Sequence, residues 1–156
     1  MPKVTLDLSG LNKLRKRLKG AENTVIQVGH VEPKVHPNLN MTMAQVGKAN
    51  HDGFVTPDGY LAEPRPYIRQ GLNKRKNIKD LQDSGVKILE GTSTGFKELR
   101  KLGPRIKNSI KEDMGDPSKF EGNAPWTLEV KEGRDTPLID KGHLRRDVKQ
   151  KLVSKK

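Results

Sequence analysis

The chain has 156 residues, a length that suits one domain, and its lack of cysteine excludes disulfides, thiol catalysis and cysteine-bound zinc. Apolar residues make up 31% of the chain and charged residues 32%, against about 45–50% (with Gly counted) and about 25% in average domains, so the core must be lean. The net charge of +12 favours acidic or polyanionic neighbours, and the absence of a long apolar run argues against a membrane partner.

The first elements follow from apolar spacing. Leu11, Leu14 and Leu18 recur at helical intervals, which predicts a short helix whose remaining surface is basic. Residues 24–31 are rich in β-branched side chains and predict a strand. A short helix is expected over residues 42–50.

The second half of the chain predicts longer helices. One should start at Tyr67 and continue past Leu81, with Ile78 and Leu81 on its buried side. Apolar residues then recur at intervals of three and four near residues 96–114, where we expect a long helix; Pro104 inside this run favours the start of a new helix there. We therefore predict an α+β fold in which a small antiparallel sheet packs with several helices. It should form a single domain over residues 1–150, followed by a basic flexible tail over residues 151–156.

Residues 123–144 form a segment rich in proline and glycine, which we call the docking segment. Pro125, Gly133, Pro137 and Gly142 restrict its backbone, so we expect one fixed, extended course. The segment has no paired acid and base and no metal-ligand cluster. This pattern is typical of a surface that contacts a partner.

Candidate catalytic chemistry is weak throughout the chain. None of the four histidines stands in a metal-binding frame, so we predict no metal, no cofactor and no catalytic residue. A nuclease would need clustered carboxylates, and Asp113, Asp116 and Glu121 have no recognisable frame. An enzyme is therefore the weakest interpretation.

The basic residues are spread over several clusters instead of one stripe. Most such clusters are solvated faces, but weak contact with the DNA backbone stays open. An aromatic content of 4% leaves few platforms for base stacking. The alternative function is thus a small basic cytosolic nucleic-acid-binding protein that grips phosphates through residues 13–19 and the C-terminal tail.

Three stretches together resemble the phage virion morphogenesis and tail-completion proteins, the group of HK97 gp10-like and lambda gpZ-like tail proteins. Pro-Leu-Ile-Asp-Lys-Gly-His-Leu at residues 137–144 is similar to the family's PLIDTG-x-L run, with Lys141 where threonine is usual. Pro-Arg-Pro-Tyr-Ile-Arg at residues 64–69 is similar to the PxRPFxR signature that opens a helix. Residues 50–53 take the place of the family's NE(F/Y)G, with His51 and Asp52 in place of the acidic and aromatic residues.

This resemblance implies a non-enzymatic virion component at the head-proximal end of a phage tail, made in the host cytoplasm. Its expected partners are other copies of itself in a ring and the neighbouring tail-tube, terminator or connector proteins. Lys141 should make the contact more dependent on positive charge than in relatives. The interface candidates carried over by motif position are Arg65, Arg69, Trp126, Leu138, Ile139, Asp140 and Lys141.

Overall fold

The fold is α+β, as predicted, and it comprises short strands around longer helices. A computed structural model describes residues 7–19, 21–56, 59–139 and 141–155, without the side chains of Trp126 and Val130. The described elements are α1 (Ser9–Leu18), β1 (Thr24–Gly29), α2 (Met43–Asp52), β2 (Phe54–Val55), β3 (Leu61–Ala62), α3 (Tyr67–Leu72), α4 (Arg75–Glu90), α5 (Gly95–Asp113), α6 (Pro125–Val130), α7 (His143–Asp147) and β4 (Lys149–Ser154).

The main sheet joins the two ends of the described chain. β1 pairs with β4 in antiparallel register from Thr24 opposite Ser154 to Gly29 opposite Lys149. Residues 151–154, expected in a flexible tail, therefore belong to a strand, and that prediction was wrong. The tail is basic, but its adjacent Leu152 and Val153 lie partly buried, so the strand pairing and this burial outweigh its charge.

Helix α5 runs without interruption through Pro104, so the predicted break before this proline was wrong. The proline has no N–H to donate to the carbonyl four residues earlier, which costs about 3 kcal/mol in a helix interior. Buried positions continue on both sides of it, with Gly103 against Gln150 and Ile26 of the sheet and Ile110 against Gly71 of α3. This packing holds the helix together across the defect.

The helix expected from Tyr67 past Leu81 is divided into α3 and α4, which meet at residues 73–74. The predicted burial of Ile78 and Leu81 is also wrong, because their exposed fractions are 49% and 60%. Helix α4 instead turns polar residues toward α5, with Asn77 and Ser84 buried. Ile78 and Leu81 recur at a helical spacing, but the side of α4 on which they lie is exposed.

The docking segment is also less extended than expected. Pro125 occupies the first turn of α6, where its missing N–H costs nothing. Turns follow this helix, and Gly142, with φ 73°, precedes α7. The prolines and glycines fix the path as predicted, but the path is a short helix and tight turns.

The core lies between α5, α3 and the end of the docking segment. Its buried apolar members are Tyr67, Ile110, Met114, Phe120, Leu138, Leu144 and Val148. Several of these residues come from the docking segment and α7, so the segment is part of the structural core as well as of the surface. None of the helices in the described part of the chain is long and apolar enough to cross a membrane.

A buried carboxylate joins α4 to α5. Glu98 accepts hydrogen bonds from Ser93 Oγ at 2.6 Å, Lys101 Nζ at 2.9 Å and Ser84 Oγ at 3.1 Å. The bonds from Ser93 and Lys101, with a smaller effect of Ser84, lower the pKa of Glu98 to about 2 from 4.5. Because the folded state holds the proton less tightly than the unfolded chain, this group stabilises the fold above about pH 4.5. That stability is lost as the pH falls toward 2.

We therefore expect Glu98→Gln to lower the free energy of unfolding by about 1–3 kcal/mol at pH 7. The difference from the wild type should shrink below pH 4.5 and become small near pH 2, because about half of the wild-type carboxyl groups are then protonated. Urea unfolding at a series of pH values measures it. Glu90→Gln at the exposed end of α4 is the control, and equal pH profiles for both variants would contradict the expectation.

Candidate functional site

The three stretches that carry the family resemblance meet around one cavity of about 240 Å³. Its walls come from α2, the β2–β3 hairpin, residues 121–124 before α6, and the end of the docking segment. Apolar lining is supplied by Val46, Phe54 and Leu144, and charged lining by Arg65 and Lys141. These residues are up to about a hundred positions apart in sequence, so the cavity is a product of the tertiary fold.

Arg65, in the stretch at residues 64–69, is bonded to the stretch at residues 50–53 and to the residues just before α6. Its backbone N–H donates to the carbonyl of Asn50 at 2.9 Å. Its guanidinium Nη2 donates to the carbonyls of Glu121 and Gly122 at 3.1 and 3.0 Å. Its Nε is buried and has no hydrogen-bond partner among the described residues. Arg65 therefore lies in the cavity wall, holds it together and keeps one buried donor unused.

The docking segment closes on itself through polar contacts. Asn123 donates from its backbone N and from Nδ2 to Asp135 Oδ1, both at 2.9 Å. The buried Lys131 donates through Nζ to the carbonyls of Thr136 and Ile139 at 3.0 and 2.8 Å. The first bonds join the two ends of α6 and its turn, and the lysine supports the turn before residue 140.

Leu138 differs from the surface role expected of it. Its exposed fraction is 7%, and it packs in the core beside the buried Pro137. Its φ of 63° lies in the left-handed region, a conformation that costs a leucine about 1–2 kcal/mol. The side chain is thus held inside the protein and forms part of the cavity wall, and it does not project toward a partner.

The mouth of the cavity is electropositive. Lys141 is exposed there, and the rings of His36 and His143 meet edge to face with centroids 5.7 Å apart. Partial burial lowers the pKa of His143, and the positive charges of Arg146, His36, Lys141 and Lys34 lower it further. Arg146, Lys141 and Lys34 are positively charged at pH 7, so these neighbours make the mouth of the cavity electropositive.

The remaining predicted residues are scattered around this site. Ile139 is half-buried over Gly115, and Arg69 is exposed on α3. Asp140 and the side chain of Trp126 lie outside the described part of the structure. Of the seven candidates, the cavity lining brings together Arg65, Leu138, Ile139 and Lys141.

A second polar centre escaped the sequence analysis. His30 Nδ1 lies 2.9 Å from Asp147 Oδ2, and His30 Nε2 lies 2.7 Å from the Tyr67 hydroxyl. The His30 and Asp147 side chains are 4% and 1% exposed. Burial and the charge of Asp147 raise the pKa of Tyr67, which keeps the phenol protonated as a donor. The partners are 117 residues apart along the chain, so no local motif could have revealed this buried network.

Metal chemistry finds no support in the described residues. No group of three or more His, Asp or Glu side chains there is arranged to hold a metal ion. The acidic residues of α5 are engaged elsewhere: Glu112 pairs with Lys74 and Lys76, and Asp113 with Lys74.

Many basic side chains also have local partners. Arg105 pairs with Asp80 and Lys101 with Glu98, which links cationic clusters to acidic residues on the same or neighbouring helices. Arg17 donates to the carbonyls of Ile88 and Leu89 at the end of α4, a favourable place for a cation. Part of the positive charge on the helices is therefore paired with acidic side chains or helix carbonyls of the same chain.

These geometric findings stand without a relative for comparison: searches of protein-family models, of curated proteins and of solved structures each found no match.

Proposed function

We propose that the protein is a structural virion component of a tailed phage, acting in tail completion or at the neck through protein–protein contacts. The observation that carries the proposal is the convergence of the three family-like stretches on one cavity, with Arg65 bonded to the stretch at residues 50–53 and to Glu121 and Gly122 in the cavity wall. Motif residues that cluster in space have a common reason to occur together, whereas chance matches would be scattered over the surface.

The exposed apolar surface supports an assembly role. On α4, Ile78, Leu81, Val86 and Leu89 are each 49–65% exposed and lie on one side of the helix by their spacing. Contiguous apolar surface of this kind marks protein–protein contact sites. A lean core with exposed apolar faces fits a protein whose final environment is an assembly.

The test is made in the phage that carries this gene. An amber mutation should yield separate filled heads and tails by electron microscopy, and expression of the intact chain should restore joined particles. Mass spectrometry of purified virions should detect the protein. If it is absent from virions and the mutant still assembles joined particles, the proposal is lost.

The alternative function, nucleic-acid binding, is tested by measuring how duplex affinity depends on salt concentration. A duplex-binding protein would show affinity that falls linearly with the logarithm of salt concentration, with a slope near −0.9 for each phosphate neutralised, or about −4 for four contacts. For a protein that works by contacts with other proteins, we expect weak duplex binding near physiological salt. Tight binding with a steep slope would favour the alternative.

A further inference from the structure

We propose that the cavity is a receptor for one carboxylate-bearing side chain, flanked by apolar residues, on a segment of a partner protein. That the ligand is a protein segment rests on the proposed function; the chemistry of the site rests on the cavity itself. Three observations carry the inference: the cavity's size, the positive charge of its lining and mouth, and its apolar walls.

The size of the cavity limits its ligand. At about 240 Å³ it is smaller than the roughly 300–1,000 Å³ typical of sites for drug-sized molecules and cofactors. One or two amino-acid side chains are a better match. A duplex is far wider than this cavity, so its phosphates would reach only the rim.

The charge of the cavity selects an acidic group. Arg65 and Lys131 lie in the wall and Lys141 at the mouth, while Glu63 and Glu121 are the acidic residues of the described lining. Three cationic side chains against two acidic ones give the lining a net positive charge, which favours an anionic group over a neutral one.

The apolar walls further restrict which acidic group can fill the cavity. Val46, Phe54 and Leu144 border the charged groups, so a ligand that fills the cavity must bury apolar surface beside its carboxylate. Burying about 100 Å² of such surface contributes about 2.5 kcal/mol to binding. An acidic residue between two aliphatic ones supplies both the negative charge and the apolar surface, whereas a bare phosphate supplies only the negative charge.

Peptide titration of the full-length protein tests the proposal. The probe is a capped pentapeptide, Gly-Leu-Glu-Leu-Gly, and its control has glutamine in place of glutamate. Amide NMR shifts should change around the cavity, and the glutamine peptide should bind roughly tenfold more weakly or worse, because a charge-assisted hydrogen bond is lost. Equal binding of the two peptides, or shifts confined to other surfaces, would overturn the proposal.

Variants of the protein test which positive charges contribute to binding of the glutamate peptide. Lys141→Glu changes an exposed residue and should weaken glutamate-peptide binding by roughly fivefold. Lys79→Glu makes the same change of net charge on the exposed face of α4 and should leave binding within about twofold. Arg65→Lys keeps the positive charge but loses the planar guanidinium that holds the carbonyls of Glu121 and Gly122 in the cavity wall, so it should weaken binding even where amide spectra show an intact fold. Equal effects of the Lys141 and Lys79 variants would contradict the site.

The two proposals fail separately. Peptide binding is measured on the isolated protein, so it can hold even if the protein is absent from virions, in which case only the virion role is lost. Virion incorporation without selective binding of the glutamate peptide would leave the structural role and remove the receptor. If a 12-base-pair duplex displaces the peptide and loses affinity in Lys141→Glu, the cavity is a phosphate site and the inference is wrong.

Discussion

Gly71→Ala is expected to destabilise the protein by about 3 kcal/mol, although alanine is the better helix former. Helices α3 and α5 cross at this position, and a Cβ on Gly71 would lie 2.6 Å from both the Cα and the Cγ1 of Ile110. The Cα belongs to the backbone of a 19-residue helix, so relief requires the two helices to move apart. That movement would loosen the contacts of Tyr67 and Ile110 in the core.

Gly85→Ala is the matched control, because it makes the same change inside a helix. A Cβ on Gly85 meets no heavy atom within 4 Å. Alanine loses less conformational freedom on folding, so this variant should be more stable by about 0.5–1 kcal/mol. Urea unfolding of both variants measures the contrast, which should be opposite in sign. Equal shifts in either direction would show that the α3–α5 crossing adapts freely.

The sequence predicts the fold class where spacing and propensity act locally. The α+β class, β1 and α2 follow from apolar periods and β-branched runs, and α2 also has its capping box at Thr42 and Gln45. The predictions from sequence are wrong where tertiary contacts determine the local structure. Pro104 is tolerated because the buried face of α5 continues past it, and the basic C-terminal residues become a strand because β1 is available to pair with them.

The prediction that the apolar side of α4 is buried was wrong for a different reason. Ile78 and Leu81 recur as a buried face would, but the helix packs through Asn77 and Ser84. Asn77 Nδ2 donates to the carbonyl of Gly71, and its Oδ1 accepts from Ser109 at 3.0 Å. Periodicity reveals that a face is apolar, but it does not reveal whether the covering partner belongs to the same chain.

The candidate site was predictable in part. The motif stretches pointed to Arg65 and Lys141, and both line the cavity. The cavity itself could not be predicted, because its walls depend on contacts such as Arg65 to Gly122, 57 residues away in the chain. The role of Leu138 was also hidden, since the same apolar residue suits a core and an interface.

The buried network of His30, Tyr67 and Asp147 links the residue that follows β1 to α3 and α7. With a neutral ring, His30 Nδ1–H donates to Asp147 and Nε2 accepts from the Tyr67 hydroxyl. With a charged ring, Nε2–H donates to the phenol oxygen, and the phenol can turn its own hydrogen toward the carbonyl of Gly47, 3.5 Å away. In both states Asp147 Oδ2 is the acceptor that fixes the ring, so the carboxylate is the central member.

Asp147→Ala is therefore expected to lower the free energy of unfolding by about 3 kcal/mol, because it leaves a buried imidazole N–H without its acceptor. Tyr67→Phe removes one hydroxyl from the same network and should cost about 1 kcal/mol. The two losses should not add, since both variants release the same ring, and the double variant measures that coupling.

The exposed pair of His51 and Asp52 is the natural control for this prediction. His51 Nδ1 and Asp52 Oδ1 are also 2.9 Å apart, but the aspartate side chain is 47% exposed. Water can replace the lost acceptor there, so Asp52→Ala should cost less than about 1 kcal/mol. Chemical unfolding of the two alanine variants thus compares a His–Asp contact at two burials, although Asp52→Ala also removes the exposed ion pair with Lys48. If both lose the same stability, burial adds nothing to the His30–Asp147 bond, and the network does not hold the C-terminal elements in place.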